Sequence, residues 1–126
     1  MIKLIIFDFY KTLYNPKTNS LYRGTYSILK ILSSKYSLVL ISSSNYRRKL
    51  LISRLDIKKY FKKVIVVNQK TESVYRKLKP QMIQTLIIGD RTEEEILFGK
   101  NLGCKTLQVN PDIENPIETI KKKLLK

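Results

Sequence analysis

The chain has 126 residues, 43% of them apolar, and a formal charge of +15 from 25 Lys and Arg against 10 Asp and Glu. Such a length suits one domain with a real core; the lone Cys104 excludes an internal disulfide framework, and the lack of histidine excludes imidazole as base, metal ligand or phospho-acceptor. No apolar run approaches the ~20 residues that cross a bilayer, and the short apolar start ending at Asp8 does not read as a signal peptide, so a reducing cytoplasm is the expected compartment.

In chain order, Ile2, Leu4, Ile5 and Ile6 form an apolar run without helical spacing. It predicts a buried strand over about residues 3–7 that delivers Asp8 into a polar loop. A segment dense in turn formers, Asn15-Pro16-Lys17-Thr18-Asn19-Ser20, predicts a loop. Ile28, Leu29, Ile31 and Leu32 then recur at helical spacing, with Thr25 as a candidate cap. Leu38 to Ser42 reads as a second strand running into small hydroxyl residues. Ser44 or Asn45 can cap the helix that follows, whose apolar side carries Leu50, Leu51 and Leu55.

Val64 to Val67 predicts a third strand, shortly before Lys70. Thr71 can cap a short helix with Glu72 in its dipole-favoured first turn, stopped by Pro80 or closely followed by it. Thr85 to Ile88 predicts a fourth strand ending at Gly89-Asp90. Thr92 is the candidate cap of a helix that holds Glu93, Glu94 and Glu95 in its first turn and ends at Gly103. A fifth strand near residues 105–109 precedes a final helix from Asn115-Pro116 with Ile117, Ile120, Leu124 and Leu125. Cys104 reads as a small buried filler. Alternating strands and helices predict a parallel sheet with helices on both faces, in one domain over residues 1–126.

Acids at the C-terminal ends of parallel strands lie where open α/β sheets place their ligands. Asp8-Phe9-Tyr10-Lys11-Thr12 resembles the first motif of the haloacid dehalogenase superfamily, written Asp-x-Asp-x-Thr in its phosphatases. Ser42 falls where the second motif has its hydroxyl, Lys70 where the third has its lysine, and Gly89-Asp90 with Glu95 resembles the fourth. The match runs in the family's order from about Ile2 to about Val109. It implies a Rossmann-like three-layer α/β/α domain whose five-stranded parallel sheet has strand order 5-4-1-2-3. The short spans between motifs imply that there is no cap domain.

The resemblance also implies a chemistry. Asp8 is the nucleophile toward phosphorus, with Thr12 in the same motif. Mg²⁺ is held by Asp8, the backbone carbonyl of Tyr10, Asp90 and Glu95, with Glu94 as the alternative acid. Ser42, Ser43 and Lys70 bind phosphate oxygens. Tyr10 stands where the family's phosphatases carry a second aspartate that protonates the leaving group and activates water. A phenol of pKa ≈ 10 can donate a proton but is a poor base at neutral pH. Lys11 replaces a common glycine.

The implied activity is a slow, Mg²⁺-dependent phosphatase working through an aspartyl phosphate. An alternative is an impaired relative that binds a phosphorylated or polyanionic partner. Another is a 2-haloacid dehalogenase, whose first motif reads Asp-x-Tyr-Gly-Thr and which Val74-Tyr75 after Lys70 also resembles. Against the last stand the absent cap and the acidic Gly89-Asp90 motif. An uncapped site points to a macromolecular substrate or a covering partner. Arg47-Arg48-Lys49, Lys58-Lys59, Lys62-Lys63, Arg76-Lys77 with Lys79, and Lys121-Lys122-Lys123 with Lys126 form basic clusters. They read as a nucleic-acid footprint or as a lysine-rich solvated surface.

Overall fold

The computed structural model describes residues 1–78 and 84–125. Its centre is β1, Leu4–Asp8. β4 (Ser37–Ser43) and then β5 (Lys63–Val67) lie on one side of it, β6 (Thr85–Gly89) and then β7 (Lys105–Gln108) on the other. The five-stranded sheet is parallel, ordered β5-β4-β1-β6-β7. Counting only the strands expected from sequence and starting at β7, this is the expected 5-4-1-2-3 order.

β1 is buried on both faces, which is why its sequence is continuously apolar rather than alternating. Ile5 and Phe7 point into a core shared with Ile28, Leu29 and Leu32 of α1 (Thr25–Ser33), Ile52 of α2 (Arg47–Arg54), and Ile117 and Ile120 of α5 (Pro116–Leu124). Ile6 points to the other face, against Tyr75 of α3 (Glu72–Arg76), Leu102 and Cys104, with Phe98 of α4 (Leu97–Asn101) packed on them. The molecule is thus three layers, helix–sheet–helix. Each fully buried Leu, Ile or Phe contributes ~1.5–3 kcal/mol of hydrophobic stabilisation, so these two clusters hold the strand ends that carry the site.

The local signals are partly redistributed. Residues 15–20 are not an open loop: β2 (Tyr14–Asn15) and β3 (Ser20–Leu21) pair antiparallel. Asn15 Oδ1 accepts the Lys17 N–H at 3.0 Å and Asn19 takes a left-handed φ of 54°, so the turn formers reverse the chain instead of loosening it. Thr25 does not cap α1: it is the first helical residue, Gly24 holds the cap position, and the Thr25 hydroxyl donates to the Tyr22 carbonyl at 2.6 Å. Asn45 supplies the side-chain oxygen at the start of α2, accepting the Arg47 N–H at 3.0 Å.

Thr71 precedes α3 without a side-chain cap. Thr92 is also not a cap. It opens a π-type turn, Thr92–Ile96, that runs directly into α4, and its hydroxyl accepts from Gln108 Nε2 at 2.8 Å. Gly103, at φ 77°, ends α4 in the left-handed conformation that favours glycine. Asn115 Oδ1 accepts the Ile117 N–H at 2.9 Å and caps α5, with Pro116 at its first position. Lys79, Pro80 and Lys126 lie outside the described residues. Among the described residues, no helix is long and apolar enough to cross a membrane.

Candidate active site

Asp8 is the last residue of β1, in register with Ile41 of β4. The chain turns sharply behind it because Phe9 is fully buried and its carbonyl accepts the N–H groups of Leu13 and Tyr14, both at 2.9 Å. Lys11 takes a left-handed φ of 64° in this loop, which accounts for glycine at the equivalent family position. The turn returns Thr12 to Asp8: the Thr12 hydroxyl donates to Asp8 Oδ2 at 3.2 Å. Lys70, brought in from the segment after β5, donates Nζ to Asp8 Oδ1 at 2.5 Å and lies 3.7 Å from Glu95 Oε2. Thr12 and Lys70 are both buried, so the Asp8 carboxylate they bond is held in one orientation.

β6 ends at Gly89 and supplies the other acids. Ligand oxygens of Asp8, Asp90 and Glu95 all lie within 4.8 Å of one another. Gly89 permits this packing, since a Cβ there would stand 2.1 Å from Glu95 Cγ and 2.4 Å from Oε1. The π-type turn aims Glu95 back at the strand end, where Oε1 accepts the Arg91 N–H at 3.3 Å; such turns are frequent at functional sites. Glu94, one residue earlier, lies on the cavity wall and pairs with Arg91 at 3.7 Å. It is therefore Glu95, not Glu94, that meets Asp8 and Asp90.

Burial pushes the Asp90 carboxyl up to about 7, reinforced by the hydrogen-bonding contact with Asp8 and by the charges of Asp8 and Glu95. Burial also pushes Glu95 up to about 7, with the Asp8 charge adding to it and Lys70 opposing it. One lysine does not balance three clustered acids. Glu95 Oε2 is buried with no hydrogen-bond partner among the described residues. A buried carboxylate oxygen without a donor is costly, and an all-oxygen set with one such atom suits a hard divalent cation. The residues present fit a metal ion.

The site opens into a cavity of about 410 Å³ lined by Asp8, Tyr10, Lys11, Ser43, Arg48, Lys70, Asp90, Arg91 and Glu94. Ser43 is on this wall. Ser42 is fully buried, and its Oγ accepts from Arg48 Nη1 at 2.7 Å. The Tyr10 ring is 41% exposed and stacks on Tyr14 with centroids 6.3 Å apart. Its phenol hydroxyl makes no hydrogen bond among the described residues. Arg48 was not singled out from sequence as a site residue. A signal was present: Arg47-Arg48-Lys49 open α2, where the helix dipole disfavours positive charge.

A family model described as haloacid dehalogenase-like hydrolase matches residues 1–109. Among solved structures, a hydrolase from Streptococcus pneumoniae TIGR4 superposes with TM-score 0.80 at 16% identity, covering 99% of both chains. The core domain of a candidate phosphoglycolate phosphatase from the same organism gives TM-score 0.64 at 18% identity over 90% of this chain and 93% of that one. An L-2-haloacid dehalogenase from Xanthobacter autotrophicus gives 0.71 at 13% identity over 86% and 78%. A comparison with curated proteins finds no match. With the sheet order, the strand-end acids and a family match spanning most of its length, the chain belongs to the haloacid dehalogenase-like hydrolases.

Proposed function

We propose that the protein is a Mg²⁺-dependent phosphohydrolase that works through an aspartyl phosphate on Asp8. The observation that carries this is the clustered trio Asp8, Asp90 and Glu95, in which buried Glu95 Oε2 has no hydrogen-bond donor among the described residues. Asp8, Asp90 and Glu95 would hold the ion, and the ion would offset the negative charge shared by nucleophile and phosphate. Lys70 fixes Asp8 and neutralises part of the cluster. In the first step an Asp8 carboxylate oxygen attacks phosphorus as the ester P–O bond breaks, and the departing alkoxide takes up a proton. In the second, water attacks the same phosphorus; the Asp8–P bond breaks, a proton leaves the water, and phosphate departs.

Tyr10 can donate the first proton but is ill suited to remove the second, so breakdown of the aspartyl phosphate is the slow step. The same residue supports a second reading, a protein that binds phosphorylated or polyanionic partners with little turnover. Dehalogenation is less well supported, because a cluster of three acids suits a cation and not a halide. A phosphate-ester panel with and without Mg²⁺, with Asp8→Asn as the blank, tests the proposal. Mg²⁺-dependent release of phosphate by the wild type alone is expected. No release from any ester leaves the binding reading, and chloride release from a 2-haloacid identifies a dehalogenase.

A further inference from the structure

Among the described residues, four cations line the cavity: Lys11, Arg48, Lys70 and Arg91. Lys70 is taken up by Asp8 and Glu95, and Arg91 pairs with Glu94. Lys11 is exposed at the rim. Arg48 differs from all three: it is half-buried and has no carboxylate within ion-pair distance among the described residues. Burial disfavours its charge, and the charge of Asp8, beyond ion-pair distance, offsets this only in part.

Its guanidinium is nevertheless held firmly. Nη1 donates to Ser42 Oγ at 2.7 Å, and Cζ lies 5.2 Å from the Phe9 ring centroid and 5.3 Å from that of Tyr10. Such cation–π contacts fix the plane of the guanidinium. A guanidinium has five N–H donors, and the bond to Ser42 uses one of them. The remainder belong to a planar fork matched to the oxygens of a phosphoryl group.

We propose that Arg48 is the phosphate-binding residue on the β4 side of the cavity and that Ser42 positions it instead of contacting phosphate directly. This rests on the phosphoryl-transfer reading above. Ser42 is fully buried and absent from the cavity wall, whereas the arginine bonded to it is on that wall beside Asp8. Its donors would stabilise charge on the non-bridging oxygens, a task the already paired Lys70 can perform only in part.

Calorimetric titration of inorganic phosphate into the full chain with Mg²⁺ tests this, with aryl phosphate kinetics on the same samples. Arg48→Ala should weaken phosphate binding by about tenfold or more and raise KM. Arg48→Lys should recover part of the loss, and Ser42→Ala should cost less than Arg48→Ala. Equal phosphate affinity in wild type and Arg48→Ala would overturn the assignment, as would a larger loss in Ser42→Ala. If Arg48→Ala does not fold, Arg48→Gln, which keeps a donor for Ser42, is judged by the same criteria. A wild type that binds phosphate through Arg48 but hydrolyses no ester sinks the phosphatase reading and leaves this one standing. A wild type that does not bind phosphate sinks both.

Discussion

Asp90 and Glu95 are harder to ionise in the fold than in an open chain, each rising to about 7 from ordinary values of 3.8 and 4.5. The stability of the metal-free fold tied to them is therefore fully present below about pH 4 and lost as pH rises through about 7. Glu95→Gln removes that ionisation while keeping the shape. Metal-free wild type should lose stability relative to Glu95→Gln between about pH 5 and pH 8, by on the order of 2 kcal/mol. Chemical denaturation in chelator measures it, and parallel curves for the two proteins would contradict it. Mg²⁺ should raise the wild-type Tm more at pH 8 than at pH 5, because binding needs both acids ionised.

At the same scale, Tyr10→Asp places a carboxylate where the family's phosphatases carry their acid-base. The exposed ring can be removed without opening a core cavity. Phosphatase kcat should rise by ~10-fold or more, below the ~10⁴ ceiling for such groups. A folded variant with no gain across several esters would show that the site lacks more than one residue.

The geometry of the acid cluster belongs to an element rather than to a residue. β6, the π-type turn and α4 act together: the strand end fixes Asp90, and the turn folds Glu95 back over Gly89. Gly89→Ala tests that coupling. Its Cβ would meet Glu95 side-chain atoms that are themselves buried, so the turn must shift. The cost should be ~1–3 kcal/mol by overpacking, with weakened Mg²⁺ affinity in the same protein. Unchanged stability and unchanged metal titration would mean that Glu95 can move away freely and that the close approach is not required.

The charge is a property of the whole molecule. Exposed Lys and Arg side chains stand on α1, α2, α3, α4 and α5, on both faces of the sheet, and Lys63 and Lys105 begin the two edge strands. Edge lysines discourage pairing of one sheet with another. With 25 basic side chains against 10 acidic ones, self-repulsion opposes the compact state. Raising salt from ~50 mM to ~0.5 M should therefore raise Tm by screening that repulsion. A Tm that falls with salt would mean that the surface ion pairs outweigh the net charge. Association with a labelled short nucleic acid, if the surface serves that role, should weaken steeply over the same range.

Much of this was legible in the sequence. Continuous apolar runs marked the strands, because strands covered on both faces need no alternation, and three of the runs led into polar residues at one end of the sheet: Asp8, Ser42 and Asp90. Element alternation was enough for a parallel sheet, since right-handed crossovers leave few other solutions. Side-chain roles within the loops were not legible. Thr25 and Thr92 resembled caps, but both hydroxyls were claimed by groups outside their own helices, Tyr22 and Gln108. The choice between Glu94 and Glu95 turned on a π-type turn that no local propensity announces. Arg48 stayed hidden because its partners, Ser42, Phe9 and Tyr10, lie on two different strand ends. Sequence determines where a strand stops and which chemistry arrives there. Only tertiary packing decides which oxygen is left without a donor and which cation is left without an acid, because those depend on contacts between segments far apart in the chain.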